Sequence, residues 1–356
     1  MIQVTKPFLP PKEEYLELVH QIWERNWLTN DGPVLRQLQE ELKDYLGVAN
    51  LWVVANGTLA IQIALKSLDI HGKVLTTPFS YVATTSSLVW EGIEPVFVDI
   101  DTNTFNIDPS KIEDKIDEET TAILATHCFG NPCEIDQIER IAKRHNLKVI
   151  YDAAHCFGTK YKGESVFNFG DISTVSFHAT KLFHTVEGGA IISKNETISK
   201  RAFYHRNFGH DGPEKFRGVG INGKNSELHS AMGLVNLKHI DAVLDRREKM
   251  VSRYMNSLQK SGLKFQKITE NAQPNFAYFP VLFENEKTTL QVKAALEECG
   301  IYPRRYFYPS LSNLNYTKGD TPVSDRISSQ ILCLPIYHDL SENEIDLVVS
   351  IILKTI

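Results

Sequence analysis

No stretch of this chain is apolar enough over the roughly 20 residues needed to cross a bilayer. The first residues, Met1-Ile2-Gln3-Val4-Thr5-Lys6-Pro7, hold no apolar core of a secretory signal. No membrane association and a cytoplasmic location are therefore expected. Cysteine is scarce: Cys128, Cys133, Cys156, Cys299 and Cys333 are an odd number, which argues against a disulfide framework. Cys128 and Cys133 flank Phe129-Gly130-Asn131-Pro132 with no second pair at zinc-like spacing, so no metal site is expected. Long basic runs are also missing. Lys143-Arg144-His145 and Arg246-Arg247 are short clusters on or at the ends of helical patterns, and the net charge is -6, so nucleic acid is not an expected partner. No Gly-x-Gly-x-x-Gly follows the first strand-like run, which counts against a dinucleotide-binding enzyme.

What is present is ordinary globular composition, 42% hydrophobic and 23% charged. Short Val/Ile-rich runs lie at 51–55, 73–77, 95–99, 121–126, 148–152, 173–177 and 189–193, with few charges, as in strands covered on both faces. Amphipathic patterns at 58–68, 84–90 and 135–145 separate several of them. This alternation predicts an α/β fold: a mostly parallel, seven-stranded sheet flanked by helices. A long helix over 226–258 leads into a smaller C-terminal α+β domain, with strands at 275–282 and 331–334 and helices at 289–299 and 342–354. The expected domains are 1–240 and 241–356, with residues 1–12 packing on the smaller one.

In an open α/β sheet, functional groups collect beyond the carboxyl ends of the strands. Four segments fall there. Ala55-Asn56-Gly57-Thr58 precedes a helical pattern. It suits either a phosphate, held by free amides and the helix dipole, or a plain helix cap. In Pro78-Phe79-Ser80-Tyr81-Val82-Ala83-Thr84, an aromatic ring can stack on a flat cofactor or pack in the core. Asp152, in Tyr151-Asp152-Ala153-Ala154-His155, ends a strand and can either pair with a ring nitrogen or cap the next turn. Ser176 ends another strand, and Lys181 follows five residues later, ahead of Glu187-Gly188-Gly189. A lysine at the edge of a buried strand is driven toward the neutral amine, a nucleophile for aldehydes such as pyridoxal phosphate. Each segment alone is ambiguous. Their order along the chain (helix start, aromatic loop, aspartate, serine, lysine) is less so.

That order resembles the DegT/DnrJ/EryC1/StrS family of nucleotide-sugar aminotransferases, which are pyridoxal 5′-phosphate enzymes with the aspartate aminotransferase (type I) fold. Trp27-Leu28-Thr29-Asn30-Asp31-Gly32-Pro33, Ile93-Glu94-Pro95-Val96-Phe97-Val98-Asp99-Ile100-Asp101 and Leu332-Cys333-Leu334-Pro335-Ile336-Tyr337 resemble further motifs of that family, so the likeness spans nearly the whole chain. The resemblance implies that Lys181 is the catalytic, Schiff-base lysine. It implies that Asp152 lies under the pyridine nitrogen and His155 near the cofactor's 3-hydroxyl. Gly57, Thr58 and Ser176 would contact the phosphate, and Tyr81 would stack on the ring. Gly220-Ile221-Asn222-Gly223-Lys224-Asn225-Ser226-Glu227 matches the segment that reaches the partner subunit's phosphate, through Asn222 or Lys224. The family usually has an aromatic residue and then often arginine where this chain has Gly223 and Lys224. A homodimer with a shared active site follows.

The substrates so implied are L-glutamate and a nucleotide-linked, dTDP-type 4-keto-6-deoxy sugar, giving dTDP-4-amino-4,6-dideoxyglucose or a close isomer for a bacterial surface polysaccharide such as O-antigen. Thr180-Lys181 followed by Glu187-Gly188-Gly189 resembles the branch that aminates carbon 4. Amination of carbon 3 and a non-enzymatic regulatory protein that binds pyridoxal phosphate are the alternatives. In the small domain Arg304, Arg305, Tyr306 and Tyr308 form a basic-aromatic cluster suited to a diphosphate or a carboxylate.

Overall fold

The computed structural model describes residues 1–356. Its centre is a seven-stranded sheet built from β1 (Leu51–Val54), β2 (Lys73–Thr76), β3 (Glu94–Phe97), β4 (Thr120–Thr126), β5 (Lys148–Asp152), β6 (Ile172–Ser176) and β7 (Gly189–Ile192). The strand order is β1-β7-β6-β5-β4-β2-β3. β7 runs antiparallel to both neighbours and every other pairing is parallel. All seven strand-like runs of the sequence are therefore strands of one sheet, offset by at most a residue or two.

The low charge of these runs has a direct cause: both faces of the sheet are covered. Along β4, Ile123 and Ala125 enter a cluster of 52 buried residues, whereas Ala122 and Leu124 enter a cluster of 17. Successive side chains of a strand point to opposite faces, so two cores need two apolar sets. Helices α1 (Lys12–Arg25) and α2 (Pro33–Leu46) precede the sheet; α3 (Gly57–Ser67), α4 (Val82–Trp90), α5 (Ile135–Arg144) and α6 (Glu196–His205) connect its strands or follow them. In α5 the apolar residues Ile135, Ile138 and Ile141 are the buried stripe that the sequence spacing predicts. α1, α2 and α6 carry no pattern among those picked out above.

α7 (Glu227–Leu258) spans 32 residues. Its first half, with Ala231 and Leu234, packs in the large core; Met250, Tyr254 and Leu258 pack in a separate cluster of 19 buried residues. The start of this helix also secures α2. Buried Glu227 accepts the free amides of Val34 and Leu35, each at 2.9 Å. A Cβ on Gly32 would sit 2.5 Å from the Glu227 carboxyl carbon, so glycine is required there.

The C-terminal sheet holds β8 (Lys264–Phe265), β9 (Phe279–Leu282) and β10 (Ile331–Leu334), all antiparallel, beside α8 (Glu286–Glu298), α9 (Pro322–Gln330) and α10 (Glu342–Thr355). At the other end of the chain, Ile2–Gln3 pairs with Ile301–Tyr302. One expectation is corrected here. The strand predicted over 275–282 begins only at Phe279, because Asn275 pulls the preceding residues out of the ladder. Its amide donates to the carbonyls of His155 and Phe157 at 2.7 and 2.9 Å, and its Oδ1 accepts from Ala277.

Candidate active site

The carboxyl ends of the parallel strands deliver their next residues to one edge of the sheet. A cavity of about 580 Å³ opens there, within the range of small-molecule sites. It brings together Gly57, Thr58, Tyr81, Asp152, His155, Ser176 and Lys181 from the sheet side, and Arg304 and Tyr306 from the C-terminal side.

Lys181 sits in the loop that leaves β6. Its backbone is fixed by a bond to the His178 carbonyl at 2.9 Å, and Phe177 N–H to the Gly188 carbonyl closes the loop at 2.8 Å. Burial lowers the ammonium's pKa to about 8, against the pull of Asp152. Its Nζ lies 6.0 Å from the centre of the Tyr278 ring. No hydrogen bond or ion pair ties up this amine.

Asp152 ends β5 and is buried. Its Oδ2 accepts the Thr84 hydroxyl at 2.6 Å, and its Oδ1 accepts the Ala154 amide at 3.1 Å. Burial raises its pKa; those two bonds and the Lys181 charge oppose the rise. Behind Thr84 stands a chain of hydroxyls. Thr126 donates to Ser80 at 3.0 Å, and Ser80 lies 2.7 Å from Thr84. Since Thr84 spends its proton on Asp152, all three donors run in one direction and reinforce one another.

His155 accepts the Phe129 amide on Nδ1 at 3.3 Å, which leaves the proton on Nε2. Burial pushes this imidazole well below its ordinary pKa, so it is neutral. Its ring lies nearly parallel to Phe307 and Phe129, at 6.0 and 6.4 Å, and edge-on to Tyr278 at 4.8 Å. At the opposite end of the cavity the first turn of α3 presents Gly57 and Thr58. Asn56 caps that turn by accepting the Leu59 amide at 2.8 Å. A Cβ on Gly57 would come within 3.0 Å of Ser176 Cβ, so helix start and serine touch only because the residue is glycine. Tyr81, 60% exposed, stands at the mouth.

Four singled-out residues lie outside this cavity. Asn222 bridges to Asn207, and Lys224 donates to the Asn207 side chain at 2.6 Å, over the Phe208 ring. The loop they belong to is tied to the sheet, since Gly223 accepts the Ala55 amide at 2.8 Å. Arg305 pairs with Glu286 at 2.6 Å, and its guanidinium lies 3.6 Å from the centre of the Tyr308 ring.

Sequence reasoning misses Ser80, Thr84 and Thr126, whose signal was a hydroxyl pair four residues apart at a helix start. It also misses Tyr278 and Phe307, for which no local signal exists. Tyr278 is placed from a distance: buried Arg247 on α7 donates to the carbonyls of Phe276 and Ala277 at 3.2 and 3.0 Å, just before it.

A buried amine with a lowered pKa, a buried carboxylate and a helix start with a hydroxyl therefore share one cavity. The sequence model of the DegT/DnrJ/EryC1/StrS aminotransferases matches residues 11–353. A protein of Shigella dysenteriae named dTDP-4-amino-4,6-dideoxy-D-glucose transaminase is 40% identical over 99% of this chain and 98% of its own. An Escherichia coli protein of the same name is 39% identical over 96% and 95%. Among solved structures, DesI, determined in the presence of its TDP-sugar product, superposes with a TM-score of 0.94 at 29% identity, over 99% of this chain and 92% of its own. The seven-stranded sheet, the edge cavity and the full-length match agree: this chain belongs to the DegT/DnrJ/EryC1/StrS aminotransferase family, whose cofactor is pyridoxal 5′-phosphate.

Proposed function

We propose that this transaminase moves the amino group of L-glutamate to carbon 4 of a dTDP-linked 4-keto-6-deoxy sugar, yielding dTDP-4-amino-4,6-dideoxyglucose or a close isomer. The observation that carries the chemistry is Lys181: an amine with lowered pKa and no bonded partner, in one cavity with buried Asp152. The substrate follows from the two relatives at 39% and 40% identity, both named as dTDP-4-amino-4,6-dideoxy-D-glucose transaminases.

The residues present fit pyridoxal phosphate. Lys181 Nζ would hold it covalently. Asp152 would hold its ring nitrogen charged, with Thr84 and the Ala154 amide, one on each oxygen, fixing the carboxylate's orientation. The α3 amides at Gly57 and Thr58, with the Ser176 hydroxyl, would take the phosphate, the usual ligand of a helix N-terminus. Tyr81 would cover the ring, and His155 Nε2–H would reach its oxygen substituent. When bound, the cofactor supplies an aldehyde carbon and a ring that draws electrons away from the donor's α-carbon. Lys181 Nζ, once free, takes the proton from that carbon and returns it one position along, as base and then acid. A pKa near 8 suits both roles at neutral pH. Water then releases 2-oxoglutarate while the donor's nitrogen stays behind, and the same two proton movements by Lys181 in reverse would place that nitrogen on the sugar's carbon 4.

Arg304 lies at the lip of the cavity and pairs with no carboxylate; its guanidinium faces Tyr306 at 5.7 Å. It is the candidate for the diphosphate or for the donor carboxylate. A homodimer with a shared site is part of the proposal. Phe208, Phe216, Val219 and Ile221 are exposed beside Asn222 and Lys224, Val219 by 86%, and exposed apolar surface of this kind marks an interface. A division near residue 240 between a large and a small domain, and a cytoplasmic location, complete it. Two measurements test the reading. The visible band of the cofactor-loaded protein should bleach with L-glutamate alone. Mass and NMR analysis with dTDP-4-keto-6-deoxyglucose should then show nitrogen at carbon 4; an amine at carbon 3, or no amine, sinks the substrate assignment.

A further inference from the structure

Two side chains on the cavity wall have no part in that scheme. His178 and Glu187 line the same cavity as Lys181. Glu187 Oε1 stands 3.5 Å from His178 Nε2, and each side chain is about half exposed. Nδ1 of His178 accepts the Thr180 amide at 3.2 Å, which assigns the proton to Nε2. A carboxylate acceptor and an imidazole N–H donor thus stand side by side at the opening.

The backbone beneath Glu187 is forced. Val186 has φ 67°, a left-handed conformation that a β-branched residue adopts only under constraint. Its own side chain does not account for this, because it is 42% exposed. The constraint is polar. Val186 N–H donates to His184 Nδ1 at 3.2 Å; the Glu187 carbonyl accepts from Thr185 Oγ1 at 2.8 Å and from Asn225 Nδ2 at 2.9 Å. What the strained turn delivers is the Glu187 carboxylate, aimed into the cavity beside His178.

We infer that Glu187 and His178 are a specificity-determining pair for the sugar, holding one ring hydroxyl between them: the hydroxyl donates to Glu187 and accepts from His178 Nε2–H. A hydroxyl can do both at once, and a 3.5 Å spacing brings both groups within reach of one oxygen. A hydrogen or methyl at that position gives neither group a partner on the sugar, the kind of mismatch by which a polar site rejects an analogue. The inference presupposes the nucleotide-sugar substrate proposed above, and the test separates the two.

Calorimetric titration of the cofactor-loaded protein with dTDP and with dTDP-glucose measures the sugar's contribution directly, since dTDP-glucose carries ring hydroxyls but no ketone to react. The wild type should bind dTDP-glucose more tightly than dTDP. Glu187→Gln and His178→Phe should each weaken dTDP-glucose about tenfold, the size of one charge-assisted hydrogen bond, and leave dTDP unchanged. Val186→Gly, which removes the strain and frees the turn, should lose part of the same increment. Wild-type affinity for dTDP-glucose in Glu187→Gln overturns the pair, as does equal weakening of both nucleotides, which would move Glu187 to the nucleotide. A wild type that binds neither nucleotide sinks the substrate reading, and the pair's role falls with it.

Discussion

The floor of the cavity comes from the carboxyl edge of the sheet: Gly57, Asp152 and Ser176 each lie at, or within three residues of, the end of a strand. The lip comes from elsewhere. Tyr278, Arg304 and Tyr306 are carried by C-terminal segments: Asn275 ties the approach to Tyr278 to the carbonyls of His155 and Phe157, Arg247 on α7 holds the carbonyls of Phe276 and Ala277, and the Arg304 backbone bridges to Cys333. The floor is redundantly held. Asp152 has two donors, one of them backed by two further hydroxyls, and its strand is paired on both sides. At the lip the Arg304 side chain is free of any carboxylate, although its backbone is bonded to Cys333. On the proposed function, chemistry falls to the sheet edge and recognition to the part that substitution can alter without unmaking the sheet.

If that division holds, floor substitutions should lower kcat while lip substitutions raise KM. The largest effect is expected for Lys181→Ala: at least about 10⁴-fold loss of transamination, since both the covalent anchor and the proton carrier go. Retained absorbance of bound cofactor, with no bleaching by glutamate, would separate lost chemistry from lost binding. Asp152→Asn comes next, at about 10²- to 10³-fold in kcat, because an uncharged amide cannot hold the ring nitrogen protonated. A kcat within a few-fold of wild type would break the comparison at its centre.

Lys181 also makes a statement about stability. Its pKa falls from 10.5 free to about 8 folded, so between those values the unfolded chain binds more protons. Stability of the cofactor-free protein should therefore rise as pH climbs from about 8 to 10.5, with the penalty fully present below that window. Lys181→Met removes a penalty of about 3 kcal/mol. It should raise the melting temperature at pH 7, and the gap should close above pH 10.5. An unchanged melting temperature at pH 7 would mean that the amine is solvated.

At the lip, Arg304→Ala should raise KM for the sugar nucleotide about 10- to 100-fold, with kcat altered far less. If KM for glutamate rises instead, Arg304 belongs to the donor carboxylate. If kcat falls as far as in Asp152→Asn, floor and lip are not distinct.

The same division governs what could be read from the chain. The seven strands were legible because both faces are covered and the apolar runs are continuous. Gly57, Asp152, Ser176 and Lys181 were legible because each sits at or shortly after such a run, where sheet geometry exposes side chains. The lip was not. Tyr278 reaches Lys181 only because Arg247 and Asn275 fold residues 275–278 away from the strand their composition favours, and no local pattern encodes a bond to the carbonyl of His155. Arg304 and Arg305 are adjacent and alike, yet one faces the cavity and the other Glu286, a choice set by tertiary packing.

The smallest effect tests how redundant the floor is. Thr84 gives Asp152 its shortest bond and ends the chain from Thr126 through Ser80. Thr84→Val keeps the shape and removes the hydroxyl. Asp152 then retains the Ala154 amide and its place in the strand, and Ser80 can turn its proton elsewhere. A net loss of about 1 kcal/mol is expected, five- to tenfold in kcat, with KM for both substrates unmoved. The absorbance band should also titrate differently, because a carboxylate with one donor fewer holds its own proton more readily and the ring nitrogen less surely. A loss as large as that of Asp152→Asn would mean that the hydroxyl chain, and not the strand, orients the carboxylate. The floor would then depend on a single bond.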